Sequence, residues 1–375
     1  MKKIGVITFF ISNYGSVLQG FATKTFLKKN GYEPVMIDKT FFPVEDKVLE
    51  DAGKKHPQSI EDFNFFLKSL EGNAAIVSDK SLAAIDAFIR DVLSPEKYTI
   101  AELEESAGNK DFDAFIVGSD QVWNTTMGVV DPFLFLLFAP PEMRIPLCPS
   151  LGTKQIHDYL KDELRDVFNE YPRLTVRETD GAEVIRELTG REATRLPDPT
   201  VLLTPDEWRE VAGVSDDDEK GYLLLHFLNA PNSIAIQNIK RIADMTGMPV
   251  RCFANRYDEY DDISGVTLIE GGPKDYVRVI NNAGFICTDS FHTTMFCINL
   301  DKDFYTFDRQ YAHGVSEIGR LTTVLGLYDL TDRMILDESF VPDKDKMPIG
   351  KDIKPIRDRE RTSIRTYLLE ALGAV

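Results

Sequence analysis

The first forty residues alternate between two periodicities, and that alternation restricts the chain more than any other feature. Ile4-Gly5-Val6-Ile7-Thr8-Phe9-Phe10-Ile11 is a nearly continuous apolar run of strand length. Val17, Leu18, Phe21, Ala22 and Phe26 then recur at helical spacing. Lys28-Lys29-Asn30-Gly31 supplies the cations and the Asn-Gly pair that end a helix. Pro34 to Asp38 reads as the next strand. A strand, a helix and a second buried strand make one unit of a parallel sheet. Lys2 and Lys3 before the apolar run imitate a secretion signal. The turn residues Asn13-Tyr14-Gly15-Ser16 and the helix after them argue against one.

The alternation continues. Leu82, Ile85, Phe88, Ile89 and Val92 mark a helix, Asp113 to Val117 a short buried strand, and Leu174 to Glu178 another strand feeding a helix from Gly181 to Leu188. Thr204-Pro205 is a helix cap with proline in first place. The pattern then starts afresh. Strands are predicted at residues 222–228, 250–253, 266–269, 284–288 and 304–307, and helices at 233–246, 273–280, 294–299 and 317–325. The fold class is therefore α/β, with two Rossmann-like domains of parallel sheet. Residues 1–203 form the first, residues 204–350 the second, and residues 351–375 carry a last helix that can pack back on the first. At roughly 150 residues per domain, 375 residues suit two domains.

Charge narrows the partners. With 43 Lys and Arg against 61 Asp and Glu, the net charge is −18. Such a chain lacks the counterion-release term that drives nucleic-acid coating and is repelled by anionic lipid surfaces. A local basic pocket for a small anion stays open. Cys148, Cys252, Cys287 and Cys297 have neither zinc-site nor disulfide spacing, which implies a reducing, cytoplasmic compartment. No apolar run approaches the ~18 residues of a membrane helix.

In paired α/β domains, chemistry belongs at the carboxyl ends of strands. Three such places carry unusual residues. Ser12 to Ser16 precedes the first helix, where free N–H groups and the helix dipole favour an anion; a capped helix with a glycine turn is the other use of the same residues. A GxGxxG fingerprint is absent, which disfavours a nicotinamide or flavin cofactor. Gly118-Ser119-Asp120-Gln121-Val122-Trp123-Asn124 is polar enough to suit a cleft wall, or else a loop anchored by its Trp. Thr288-Asp289-Ser290-Phe291-His292-Thr293-Thr294 sets His292 at a helix start, where an imidazole can act as general acid or base. No cluster at metal-ligand spacing is present.

These segments carry a resemblance. Asn13 to Gln19, Asp111 to Asn124 and Asp289 to Thr294 are similar to the motifs of the polysaccharide pyruvyl transferase family, and Val176-Arg177-Glu178 and Asp198 to Leu203 are similar to its middle section. The motifs run in family order as far as about Leu327. The resemblance implies a fold similar to glycosyltransferase-B enzymes, with transfer of pyruvate from phosphoenolpyruvate to a sugar as a ketal in bacterial-type cell-surface polysaccharide synthesis. It implies that His292 is the acid/base and that Arg177, with Arg309 by a looser match, holds the donor's phosphate and carboxylate. Asn13, Tyr14, Gly15, Ser16, Ser119, Asp120, Trp123, Asn124, Asp289, Ser290 and Thr293 complete the expected substrate-binding set. The acceptor is expected on a nucleotide or a lipid, the latter compatible with a peripheral position at the inner face of the membrane. No metal or resident cofactor is implied.

Two departures stand out. Thr293 follows the histidine where the family usually has Gly, so its hydroxyl is expected to replace a backbone contact. Pro146 and Pro149 exclude a central strand, which makes that segment an edge or irregular. His226 reads as a strand-end packing residue, His313 as surface or acceptor-side, and His56 and His157 as exposed. The competing readings are a nucleotide-sugar glycosyltransferase on the same frame and a non-catalytic sugar- or phosphate-binding relative.

Overall fold

The computed structural model describes residues 1–10, 13–40, 43–72, 77–309 and 318–375. Five parallel strands, β1 (Lys3–Ile7), β2 (Glu33–Lys39), β3 (Glu96–Tyr98), β4 (Ala114–Val117) and β5 (Arg144–Pro146), form the first sheet in the order β3-β2-β1-β4-β5. Val6 lies level with Met36 on one side and Ile116 on the other. All three are buried, as in a sheet covered on both faces. β5 is an edge strand ending at Pro146, so one of the two alternatives for the proline segment is realised.

A small parallel pair, β6 (Thr175–Val176) and β7 (Thr194–Arg195), follows. Only two of the five residues predicted as strand here pair, because Glu178 already caps the helix Thr179–Thr189. The second sheet has six parallel strands: β8 (Leu223–His226), β9 (Val250–Phe253), β10 (Thr267–Ile269), β11 (Phe285–Thr288), β12 (Phe304–Phe307) and β13 (Met334–Ile335). Their order is β10-β9-β8-β11-β12-β13. In both sheets the order reverses beside the first strand of the set, between β1 and β4 and between β8 and β11. Doubly wound sheets bind ligands at such switch points, beyond the carboxyl ends.

Four helices position the site. In α1 (Tyr14–Lys29) the Asn13 side chain accepts from Gly15 N at 2.9 Å, and Gly31 closes the far end with φ 81°. Residues 14–16, predicted as a turn, are therefore the first helical turn. α2 spans Pro273–Asn282 and α3 Phe291–Asn299. α3 starts three residues earlier than its spacing predicts, because the Ser290 hydroxyl caps it by accepting from Thr293 N. His292 thus lies inside the helix.

The last helix, α4 (Lys354–Gly373), touches both parts of the chain. Tyr367 Oη donates to Pro146 O at 2.8 Å, and Arg357 Nη1 donates to Ile298 O and Asn299 O at 3.1 and 3.0 Å. One apolar core runs between the sheets, with the fully buried Trp208 set edge-on to Phe296 at 5.0 Å. Among the described residues no helix is long and apolar enough to cross a membrane.

Candidate active site

The two switch points meet where α1 begins. Gly15 packs so closely on the His292 imidazole that a Cβ there would lie 2.0 Å from Cγ and 2.2 Å from Nδ1. Only glycine allows that approach. Beside it, Tyr14 stacks on Tyr276 of α2, with ring centres 5.0 Å apart and planes 5° from parallel, and its hydroxyl donates to Gly271 O at 2.8 Å. Asn13 and Tyr14 thus shape and seat the start of α1.

A buried polar web surrounds His292. Asp198 Oδ2 accepts from Ser119 Oγ and Arg177 Nη1, each at 3.1 Å, and lies 3.5 Å from His292 Nε2; Asp198 Oδ1 accepts from Thr200 N at 3.0 Å. The 3.5 Å contact is an ion-pair distance, too long for a good hydrogen bond. Arg177 Nε donates to Glu178 at 2.8 Å, and the guanidinium lies 4.2 Å over the Phe291 ring. Ser16 Oγ donates to Asp120 Oδ2, and Gln121 N to Asp120 Oδ1 at 2.9 Å. Asp120 adopts left-handed backbone, φ 72°, which an Asp tolerates better than most residues.

The charges hold one another. Burial opposes ionisation of Asp198, but His292, Arg177 and the Thr200 amide outweigh it and keep the carboxyl below its usual range. For Asp120 burial is likewise overcome, by His292, Arg177, Ser16 and Arg320. Burial also works against the Arg177 cation, yet Glu178, Asp198 and Asp120 raise its pKa. Two nitrogens in this web, Arg177 Nη2 and His292 Nε2, are buried without a hydrogen-bond partner among the described residues. Native interiors rarely leave such groups unmatched.

The remaining expected residues divide. Asp289 takes the Leu228 and Asn229 amides at 2.7 and 3.2 Å, joining the ends of β8 and β11. Burial pushes its pKa up to about 6, against the pull of Arg309 and those amides. Arg309 Nε donates to Asn229 Oδ1 at 2.8 Å. Thr293 corrects its expected role: it is fully buried, and its hydroxyl meets Tyr276 Oη at 2.9 Å and His226 Nδ1 at 2.8 Å, facing the interior. His226 ends β8, and burial lowers its pKa to about 3, so it is neutral.

Trp123 is also corrected. It is fully buried, stacked on Phe135 at 5.6 Å and packed on Phe168 and Tyr171, the anchored-loop alternative rather than a cleft wall. Asn124 caps a short turn by accepting from Thr126 N. His56 and His157 are half-buried, not exposed, each packed near the Tyr159 ring, and His157 Nδ1 is 3.2 Å from Asp62. His313 falls outside the described residues. Asp198 and Glu178 are the site residues that sequence reasoning missed as side chains in the web. A carboxylate inside the apolar, proline-marked run Leu196 to Leu203 was the available signal. Among the described residues no group of His, Cys, Asp and Glu could hold a metal ion.

A sequence model of polysaccharide pyruvyl transferases matches residues 13–311, a span that includes α1, β4, β8, β11 and the residues of the buried web around His292. The chain belongs to the polysaccharide pyruvyl transferase family. Membership makes it a transferase, and the web around His292 is this family member's candidate active site. Among solved structures, UDP-N-acetylglucosamine 2-epimerase from Rickettsia bellii superposes with a TM-score of 0.52 at 9% identity, covering 100% of this chain and 97% of that one. Its likeness concerns the fold alone, an α/β frame of the glycosyltransferase-B kind. UDP-GlcNAc 2-epimerase from Methanocaldococcus jannaschii gives 0.49 at 12% identity, with 98% and 100% covered. MurG from Acinetobacter baumannii gives 0.43 at 8%, with 100% and 94% covered. No curated protein sequence matches the chain.

Proposed function

We propose that this pyruvyl transferase family member moves the pyruvyl group of phosphoenolpyruvate onto two hydroxyls of one sugar as a ketal, releasing phosphate, in the synthesis of a bacterial-type cell-surface polysaccharide. The observation that carries the reading is the meeting of His292, after β11, with Asp198 and Arg177 from the first part of the chain, in a chain of this family. His292 is the general acid and base. It protonates the methylene carbon, which turns the neighbouring carbon into an oxocarbenium centre open to a sugar hydroxyl. Phosphate leaves, and the second hydroxyl closes the ketal. Of the two hydroxyl protons, one balances that placed on carbon and one leaves with phosphate.

The donor is trianionic when fully ionised, and the site offers it few idle charges. Arg177 is already engaged by Glu178 and Asp198, so its Nη2 supplies one contact rather than a bidentate clamp. The start of α1 adds the positive end of the helix dipole, its Gly15 N–H being already taken by Asn13 Oδ1. Arg309 is the second cation assigned to the donor. The acceptor is a sugar on a nucleotide or a lipid.

Phosphate release from phosphoenolpyruvate, measured against a panel of hexose acceptors, tests the reading. Acceptor-dependent phosphate with a pyruvate ketal in the product supports it. Donor binding without release under any acceptor favours the non-catalytic alternative.

A further inference from the structure

We infer that His292 exchanges its proton through Nδ1, and that Asp198 is the positioning residue that keeps the other nitrogen, Nε2, in its N–H form. The inference rests on the acid/base reading above. The two edges of the ring have different surroundings. Nε2 is buried, lacks a hydrogen-bond partner among the described residues, and has the Asp198 carboxylate 3.5 Å away. Asp198 is held ionised by Arg177, Ser119 and the Thr200 amide. A lone pair on Nε2 would face that anion, whereas an N–H there is attracted to it. The tautomer of a neutral imidazole follows from what one nitrogen faces.

Gly15, in the first turn of α1, packs against the ring over Cγ and Nδ1, the part of the ring away from Nε2. A side chain at residue 15 would collide with the ring there. A donor whose phosphate or carboxylate rests at the start of α1 brings its methylene carbon to Nδ1 and away from Asp198. Asp120, whose Oδ2 accepts from Ser16 Oγ, is a second carboxylate held ionised in the same web.

Atoms and charges balance along this path. In the imidazolium form both nitrogens carry protons. The Nδ1–H bond breaks, its electrons stay on nitrogen, and the C=C π pair takes the proton to form the new C–H bond. The ring is left neutral with its hydrogen on Nε2, the form Asp198 favours. The attacking sugar hydroxyl then returns a proton to Nδ1. Asp198, already ionised, moves no proton.

The test is nitrogen NMR of the full-length protein labelled with 15N-histidine. Of the five histidines, His292 is identified by the signal lost in His292→Gln. In the neutral ring, the protonated nitrogen should be Nε2 and the bare one Nδ1. Asp198→Asn should lose that single-tautomer signature, and kcat should fall by up to about 10⁴-fold, the loss seen when a catalytic histidine loses its orienting carboxylate. If Asp198→Asn does not fold, the wild-type spectrum still decides. A neutral His292 carrying its proton on Nδ1 overturns the assignment while leaving pyruvyl transfer intact. Wild-type turnover in His292→Gln is the separate result that removes the acid/base reading, and the proton path with it.

Discussion

Gly15 and His292, 277 positions apart in sequence, touch: the imidazole occupies the space where any other residue at position 15 would put its Cβ, 2.0 Å from Cγ. The start of α1 and the histidine of α3 are therefore one surface, and the glycine serves close approach rather than backbone freedom.

Gly15→Ala separates these two uses. In a helix, alanine is ordinarily favoured over glycine by about 0.8–1 kcal/mol. Here the added carbon must move the ring. Turnover should fall about 100-fold, the scale of an ångström's misplacement, with little or no gain in melting temperature. Steady-state kinetics and thermal unfolding check both. An alanine variant that is more stable and fully active would show that the ring needs no such room.

Arg177 is more deeply embedded than a donor-binding arginine has to be. Arg177→Ala strands Glu178 and Asp198 in a dry interior, and breaking a buried pair costs about 3–5 kcal/mol. Arg177→Lys should recover only part of that, since one ammonium cannot reproduce the guanidinium's separate contacts to Glu178, Asp198 and Ser119. Urea denaturation measures the loss. Stability within about 0.5 kcal/mol of the parent in Arg177→Ala, the range of ordinary surface changes, would assign the residue to ligand binding alone.

Acid should destabilise the protein partly through His226. Its folded pKa, about 3, lies below the ordinary 6.5. The unfolded chain then binds the extra proton in between, so the contribution is complete above pH 6.5 and fades as pH falls toward 3. Its size is on the order of a few kcal/mol. Asp289, raised from 3.8 to about 6, works in the opposite sense: its contribution is complete below 3.8 and is lost as pH rises through 6. His226→Gln should therefore flatten the acid limb between pH 6.5 and 3, leaving the Asp289 slope. Stability curves by denaturant titration at stepped pH read this directly, and an unchanged acid limb would contradict it.

Much of the fold was legible because the central strands of each sheet are buried apolar runs. β9 and β12 match their predicted spans, and β1, β2, β4, β8 and β11 appear within a residue or two or in shortened form. β13, with two residues, is too short to show a period, and the helices Asp46–Lys55 and Gln58–Gly72 drew no prediction. The site was legible as motifs but not as contacts. Asp198 and Thr293 show why: sequence gives a residue's neighbours along the chain, whereas their roles come from Arg177, His292, Tyr276 and His226, brought in by other elements. Trp123 shows the converse, since its polar neighbours suggested a cleft and its ring went to the aromatic cluster with Phe135.

Steady-state pyruvyl transfer by His292→Gln, with circular dichroism as the folding control, bears most directly on the role assigned to His292. Glutamine can donate a hydrogen bond but cannot titrate near neutrality, so it isolates proton transfer from positioning. A folded variant should bind phosphoenolpyruvate much as the parent does while turning over about 10²–10⁴-fold more slowly. A folded variant working at the parent rate would contradict the assignment of His292 as the acid and base.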